Sequence, residues 1–334
     1  MLTATVSHAA EQAPGVDLVE RCGARQSRGE ARGRIEVRFF GTTSLLIRDE
    51  STVILVDPFV TRPGRWQLAR IAPDVALIDE SIKALGASRA AAVVTTHSHY
   101  DHAMDAATFA EKTGAVLVGS GSTWNIGWGA GLPPARMRVV RRDACLAFGR
   151  FEVSFLASKH GRPEFFPGAI DQPVVAPAAP WSWKTGEVFS VWLRHETGSI
   201  LVHASAGYEP RALAGTTADV VYLGVAGLGS ADEAFIDAYW NEVVRETRAR
   251  RVVLIHWDDF TRPLKAPLRP RSAKEYDRML AHVLRRACKE GVDVALPLTW
   301  QPSDPLVSAE VPAPVSRDQH EAAGLRLLSC AAQR

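Results

Sequence analysis

Four side chains able to bind a metal ion occur between residues 97 and 102, namely His97, His99, Asp101 and His102. A β-branched run at residues 93–96 predicts a strand that ends at this cluster. Side chains two apart on an extended segment point the same way, so His97 and His99 can reach one ion together. Asp101 and His102 fall where the chain turns into a predicted helix, and could face a second ion. Imidazoles with a single carboxylate favour zinc, with iron or manganese as alternatives.

Two more histidines stand directly after apolar strand-like runs. His160 follows the predicted strand at residues 151–157, and His256 follows the one at residues 252–255. A lone histidine in such a place is usually a hydrogen-bonded structural residue. Together with the cluster, however, these two complete three ligands for each of two ions. The pattern therefore predicts a metal centre built from segments far apart in the chain.

Composition narrows the classes of partner. The chain has 334 residues, of which 46% are hydrophobic and 23% charged, as in soluble globular proteins. A net charge of +2, without basic blocks interleaved with aromatics, gives no support for nucleic acid binding. Apolar runs of about eight residues are too short to span a bilayer. Nucleotide-binding loops and a G-x-S-x-G elbow are absent. We expect a small-molecule substrate. The oligomeric state stays open.

The chain ends and the cysteines carry weaker signals. Residues 1–33 lack the basic start and apolar core of a secretory signal, and we interpret them as a poorly ordered extension or strap. Residues 34–300 form the predicted domain, and residues 301–334 a C-terminal tail rich in Pro, Ser and Ala. Four scattered cysteines without a CxxC pair indicate reduced structural thiols in a cytoplasmic protein. They are Cys22, Cys145, Cys288 and Cys330.

The order of predicted elements favours an α/β (α+β) fold. Strand runs come first and strands alternating with helices follow, and this order occurs twice along the chain. We expect residues 136–140, 144–148 and 151–157 to be strands of the second sheet, and residues 124–134 to be a loop. Residues 159–187 form the longest irregular stretch, and such loops in compact domains are usually functional. Two sheets covered by helices on their outer faces fit this order.

Over about residues 34–300 the chain resembles the metallo-β-lactamase-fold hydrolase superfamily. The resemblance rests on Asp57 after an apolar strand, on the 97–102 cluster, on His160 followed by glycine, and on His256. The motifs HSHYDH and HWDDF indicate an uncharacterised branch, nearer the broad metal-dependent hydrolases than the antibiotic-degrading enzymes. The resemblance implies a four-layer αβ/βα sandwich with the metals at one edge of the sheets.

The same resemblance assigns the ligands. It implies that His97, His99 and His160 hold one ion. It gives the other ion to Asp101, His102 and His256. Asp57 is then the buried aspartate that orients the ligand loop through hydrogen bonds.

One position departs from the family pattern. Many relatives have an aspartate that bridges both ions, and Ser205 stands at that place here. One interpretation keeps two ions with three ligands each, as in a subclass of metallo-β-lactamases with serine there. The other has a weak second ion, or fills the gap with His203 or Asp258, although His203 also fits a structural core residue. We prefer the first interpretation.

The expected function is a metal-dependent hydrolase of an ester, lactone or phosphodiester, with a dinuclear zinc site as the expected centre. Zinc lowers the pKa of bound water toward ~7 and so supplies hydroxide at neutral pH. Asp101 would orient this nucleophile and accept its proton. Alternatives are a β-lactamase-like amide hydrolase and a non-catalytic metal-binding scaffold. A flavin-linked oxidoreductase is disfavoured, because it needs more carboxylate ligands and a further domain.

Overall fold

The computed structural model describes residues 17–19, 34–64, 69–264, 267–306 and 324–328. Within these ranges the chain forms a nine-stranded and a seven-stranded sheet. The largest apolar cluster joins side chains from both sheets, including Val37, Val94, Phe155 and Val202, all buried. Further apolar clusters lie between each sheet and its helices. The predicted α/β sandwich is therefore confirmed.

The smaller sheet carries the 97–102 cluster. Its strands are β2 (Glu36–Phe39), β3 (Leu45–Arg48), β4 (Val53–Val56), β5 (Ala92–Val94), β6 (Val116–Gly119), β7 (Met137–Val139) and β15 (Pro302–Ser303). Strands β4 to β7 run parallel, so their carboxyl ends meet at one edge. The outer face is covered by α1 (Val75–Leu85), α2 (Tyr100–Ala103), α3 (Ala106–Thr113) and α4 (Gly121–Gly129).

The larger sheet carries His160 and His256. Its strands are β1 (Asp17–Val19), β8 (Ala144–Phe148), β9 (Phe151–Ala157), β10 (Phe189–His195), β11 (Gly198–His203), β12 (Val220–Gly224), β13 (Arg251–Ile255), β14 (Asp293–Pro297) and β16 (Leu325–Leu327). Strands β11 to β14 run parallel. The covering helices are α5 (Glu233–Trp240), which continues as a π-helical turn over Asn241–Arg245, and α6 (Ala273–Glu290).

Local sequence explains where the helices begin and end. The side chain of Asp74 accepts the backbone N–H of Leu77 at the start of α1, and Gly86 ends the helix in the left-handed conformation. Between these caps, Ile78, Ile82 and Leu85 recur at helical spacing and are buried. Capping and the apolar stripe together define this helix.

Two local predictions were wrong around α4. The predicted loop at residues 124–134 begins with a helix, whose start Ser120 caps by accepting the N–H of Thr123. Its glycines serve close packing: a Cβ on Gly127 would lie 2.5 Å from Met137 Sδ. Because α4 returns the chain to the same edge, β7 pairs parallel with β6 and belongs to the first sheet, not the second.

Segments outside the predicted 34–300 domain also contribute strands. Strand β1 pairs with β8, β15 with β2, and β16 with β14, all antiparallel. Short pieces of the predicted extension and tail thus extend or cover sheet edges. The domain limits themselves stay a prediction.

Cys145 and Cys288 are each disulfide-bonded. The prediction of reduced thiols is therefore wrong for these two, while Cys22 and Cys330 lie outside the described residues. Disulfides persist mainly in oxidising compartments, so the cysteines no longer support a cytoplasmic location. No helix in the described part of the chain combines the length and apolarity that crossing a bilayer requires.

Asp105 makes the fold sensitive to pH. Its Oδ2 accepts the backbone N–H groups of Val60 and Thr61 at 2.8 and 2.7 Å. Its buried Oδ1 has no hydrogen-bond partner among the described residues. Burial raises the pKa of this carboxyl to about 6. The folded state therefore holds a proton that the unfolded chain releases near pH 4.

We expect the free energy of unfolding of Asp105→Asn, relative to wild type, to rise by about 2 kcal/mol between pH 4.5 and 7, because only the wild type must ionise a buried carboxyl. Urea titrations of the metal-free protein at several pH values measure this difference. Asp79→Asn, at an exposed carboxylate, is the control. An Asp105→Asn difference that does not change with pH would contradict the assignment.

Candidate metal centre

The predicted ligands converge at one edge of the sandwich. Strand β5 ends just before Thr95 and Thr96, and His99 then occupies the cap position of α2. His160 follows β9 and His256 follows β13 in the opposite sheet. The fold thus brings together residues up to 159 positions apart in the sequence, as the strand-end pattern predicted.

The first group consists of His97, His99 and His160. One nitrogen from each ring lies within 4.8 Å of the others. Nε2 of His97 and Nδ1 of His99 are 3.2 Å apart. His97 and His99 are buried, and His160 is partly buried. The group is therefore shielded from solvent at His97 and His99 and is partly accessible to solvent at His160.

Hydrogen bonds set the ring tautomers in this group. Nδ1 of His160 donates to the carbonyl of Gly161 at 2.7 Å, which leaves Nε2 with a free lone pair. The hydroxyl of Thr96 donates to Asp57 at 2.6 Å and therefore accepts from Nδ1 of His97 at 3.3 Å. The Nε2 atoms of both rings are thus acceptors that face the centre of the group.

The second group consists of Asp101, His102 and His256. Nε2 of His102 and Nε2 of His256 are 3.3 Å apart. Oδ2 of Asp101 lies 3.5 Å from the former nitrogen and 3.4 Å from the latter. Tetrahedral zinc with bonds of ~2.0–2.1 Å places its ligand atoms roughly 3.3–3.4 Å apart. The three atoms of the second group therefore have separations that fit such an ion, and so do His97 and His99 in the first group.

Asp57 connects the second group to the first sheet. It is fully buried, and its Oδ2 accepts Nδ1–H of His102 at 2.8 Å and the hydroxyl of Thr43 at 3.0 Å. Its Oδ1 accepts the backbone N–H of Thr96 at 2.7 Å. The bond to His102 leaves Nε2 of that ring bare toward the centre. The predicted supporting position of Asp57 agrees with these contacts.

The electrostatics differ between the two groups, and they keep the nitrogens of the first group unprotonated. Burial lowers the pKa of His97 far below its usual range, and the surrounding imidazoles add to this effect. Burial likewise lowers the pKa of His160 to about 4. Burial alone would lower the pKa of His102, but the carboxylates of Asp101 and Asp57 outweigh it and raise the pKa overall. The first group is therefore neutral at pH 7 without a metal.

Asp258, a candidate to replace the bridging carboxylate, makes its contacts with Arg62 and Thr42. Its Oδ2 pairs with the buried guanidinium of Arg62 at 2.8 Å, and its Oδ1 accepts the N–H of Thr42 at 2.9 Å. The carbonyl of Thr42 in turn accepts the N–H of His256, which has a φ of +58°. Asp258 therefore anchors the turn that carries His256, and its oxygens are already engaged.

His203 and Ser205 also take supporting places. Nδ1 of His203 accepts from Ser190 at 2.7 Å and Nε2 donates to the carbonyl of Gly207 at 2.7 Å. Both nitrogens are occupied by hydrogen bonds. These contacts fit the interpretation of His203 as a structural core residue. Oγ of Ser205 accepts the N–H of Gly161 at 2.9 Å and so braces the turn after His160.

Sequence reasoning missed the residues that hold the ligands. Thr43, Thr96 and Arg62 contact a ligand or its anchor, but none carries a recognisable motif. A threonine just after a strand and an arginine in a loop are ordinary, and only the way in which the elements pack together gives them a partner. Their spacing along the sequence therefore does not predict that they contact the proposed ligands.

Comparison with known proteins places the chain in a family. The sequence model of the metallo-beta-lactamase superfamily matches residues 37–209, just over half of the chain. The chain therefore belongs to this superfamily.

Individual relatives match shorter parts. A "UPF0173 metal-dependent hydrolase" of Myxococcus xanthus is 34% identical over 106 residues, which cover 31% of this chain and 32% of that protein. One of Pyrobaculum islandicum is 31% identical over 86 residues, covering 26% and 32%. The matched part thus spans about a third of these relatives. The structure of CmlA, a diiron beta-hydroxylase from Streptomyces venezuelae, has a TM-score of 0.52 and 14% identity. It covers 82% of this chain and 55% of that one, and shows the fold alone.

We expect Asp57→Asn to weaken zinc binding about 10- to 100-fold, because an amide cannot accept every hydrogen bond that the carboxylate accepts from His102, Thr96 and Thr43. Competition with a chromogenic chelator measures the affinity. Asp49→Asn removes a buried carboxylate that binds Ser51 and Arg150 away from the centre, and serves as the control. Equal zinc affinity in both variants would contradict the role of Asp57.

Proposed function

We propose that the protein is a metal-dependent hydrolase that binds two ions, one in each ligand group. The observation that carries this proposal is the pair of groups themselves, with six donor atoms from three segments of the chain. Zinc fits the imidazole-rich ligands and the separations of 3.2–3.5 Å. Iron or manganese remains an alternative metal. The diiron description belongs to CmlA, and its likeness to this chain concerns the fold.

His97, His99 and His160 would hold one ion and Asp101, His102 and His256 the other, and bound divalent ions would supply a lowered pKa for water and polarisation of a carbonyl or phosphoryl oxygen. Asp101 is the proposed partner of the attacking water. Burial raises the pKa of Asp101, but His102 and His256 outweigh it and hold the pKa well below its usual range. The carboxylate is therefore ionised at neutral pH. It would orient an attacking water by accepting a hydrogen bond from it, and its low pKa makes it a weak base for the proton itself.

A cavity whose wall includes the chain just past His160, at Arg162 and Pro163, is a candidate place for the rest of the substrate. It has a volume of about 480 Å³ and is lined mainly by apolar side chains, among them Leu228 and Phe235. Arg162, two residues past His160, adds a guanidinium to its wall. Cavities of roughly 300–1,000 Å³ with few polar groups are typical of small-molecule sites. This supports a small substrate with an apolar part, such as an ester or lactone.

The alternatives have less support. A β-lactamase-like amide hydrolase is suggested by Ser205, but its hydroxyl already accepts the N–H of Gly161. A non-catalytic scaffold does not require Asp101 to be ionised between two imidazoles. Phosphodiester hydrolysis uses the same centre and is separated from ester hydrolysis by assay.

Purified protein should contain about two zinc equivalents per chain, and should hydrolyse at least one compound from a panel of chromogenic esters, lactones, phosphodiesters and a cephalosporin. Because the metal supplies the chemistry, a chelator should abolish the activity and zinc restore it. His256→Ala should lose one ion and at least 100-fold in activity. His282→Ala, at a histidine that pairs with Glu233 away from the centre, should keep both. Less than half an ion per chain, without chelator-sensitive hydrolysis, would overturn the proposal.

Replacing Ser205 with Asp tests the missing bridging ligand. One carboxylate oxygen can accept the N–H of Gly161 as the serine does, and the other adds a negative charge beside the centre. We expect the affinity for the weaker ion to rise about tenfold or more, by analogy with the effect of a nearby opposite charge. Titration with zinc measures it, with Ser205→Asn as the neutral control of the same shape. Unchanged affinity would show that this position does not face the ions.

A further inference from the structure

We propose that Glu164 and Thr185 are positioning residues that fix the His99 ring through a hydrogen-bonded relay, and so tie the loop between β9 and β10 to the first ligand group. This inference rests on the proposed function, because it assumes that His99 binds a metal. It assigns a role to two residues that no motif indicated.

The direction of the hydrogen bonds follows from the chemistry of the partners. Oγ1 of Thr185 lies 2.7 Å from Oε1 of Glu164, 3.3 Å from the carbonyl oxygen of Phe166 and 3.0 Å from Nε2 of His99. A carboxylate and a carbonyl only accept, so the single proton of the hydroxyl goes to this side, where Glu164 is the nearer acceptor. Its lone pair must then accept from Nε2–H of His99. The ring is held as the tautomer that has a bare Nδ1.

This tautomer is the one that the first group requires. Nδ1 of His99 faces Nε2 of His97 at 3.2 Å. The other tautomer would place a proton on Nδ1, toward the ion, and would block ligation. A hydroxyl in contact with a carboxylate also makes the imidazole more basic, which strengthens its bond to a metal. The relay therefore acts on both the orientation and the donor strength of His99.

Backbone contacts fix the same loop at the same place. The N–H of Thr185 donates to the carbonyl of Phe166 at 3.0 Å, so the two ends of the loop meet here. The carbonyl of Thr185 accepts the N–H of Ser98 at 2.9 Å, and Ser98 lies between His97 and His99 in the sequence. Gly186 packs so closely that a Cβ would lie 2.8 Å from Oγ of Ser98. Loop and ligand segment therefore form one hydrogen-bonded unit.

The relay keeps its charge in solvent. Thr185 is 2% exposed, whereas Glu164 lies at the surface. Burying a carboxylate next to His99 would incur a large desolvation cost. A hydroxyl between the two groups transmits the hydrogen bond inward while the ionised group stays hydrated. This arrangement explains why a threonine, and not an acidic residue, contacts the ring.

The test uses Thr185→Val, which keeps the shape and removes the hydroxyl, and Thr185→Ser, which keeps the hydroxyl. Zinc affinities of both sites are measured by competition with a chromogenic chelator. We expect Thr185→Val to weaken one ion about 10- to 100-fold and to leave the other within about threefold. Thr185→Ser should restore the wild-type value, and Glu164→Gln should show an intermediate loss. Glu209→Gln, at an exposed glutamate that pairs with Lys159, is the control.

A second readout does not depend on the metal. Imidazole ¹H–¹⁵N spectra of the metal-free protein should show His99 protonated at Nε2 in the wild type and in Thr185→Ser, and a mixture of tautomers in Thr185→Val. The His99 signals are assigned by their loss in His99→Gln. Unchanged tautomer and unchanged zinc affinity in Thr185→Val would overturn the relay. Wild-type protein without zinc affinity but with the Nε2–H tautomer would overturn the proposed function and leave the relay supported.

Discussion

The buried carboxylate of Asp57 is the interaction on which the rest of the centre depends. A carboxylate without solvent is costly by several kcal/mol unless its lone pairs are satisfied. Here the donors come from the turn after β2, the segment after β5, and the first turn of α2, through Thr43, Thr96 and His102. Folding of the first sheet and placement of the ligand segment are therefore one event: the strands cannot shift against each other without leaving a buried charge unpaired.

The same physical rule recurs around the centre. The outer nitrogens of His97, His99, His102 and His160 each contact a fixed acceptor, and the inner nitrogen of each is bare. Bare nitrogens 3.2–3.3 Å apart repel one another unless a cation lies between them. The polypeptide thus holds an arrangement that is unfavourable alone and favourable with metal. Metal binding should accordingly stabilise the fold, since the ordering of the ligands has already been achieved by their partners.

The ligands could be predicted from the sequence, whereas most of their supports could not. Histidines at strand ends are visible because apolar runs show where strands stop, and the parallel strands of each sheet bring their carboxyl ends to one edge. The partners of Thr185 and Arg62 depend on how segments far apart in the chain align, and no local pattern encodes this. Asp258 shows the converse: it stands two residues from a ligand, and an ion pair with Arg62 engages its carboxylate. The glycines near α4 led to the prediction of a loop. Their role in close packing depends on neighbours that are brought near only by the folded chain, so the local sequence does not show it.

The charge of the proposed ligands shows what a serine at position 205 would cost and what it would gain. Asp101 is the one anionic ligand among the six, so two bound dications would be far from neutralised by their ligands. Asp57 and Glu164 add negative charge outside the ligand set. Asp57 is hydrogen-bonded to His102, and Glu164 is linked to His99 through the hydroxyl of Thr185. Such a centre keeps more of its positive field for an incoming oxygen than one with a bridging carboxylate, because the ligand charge sits outside the contact distance. Without the bridging carboxylate the ions would bind less tightly. The hydrogen-bonded partners of each imidazole would then have to supply part of the missing affinity.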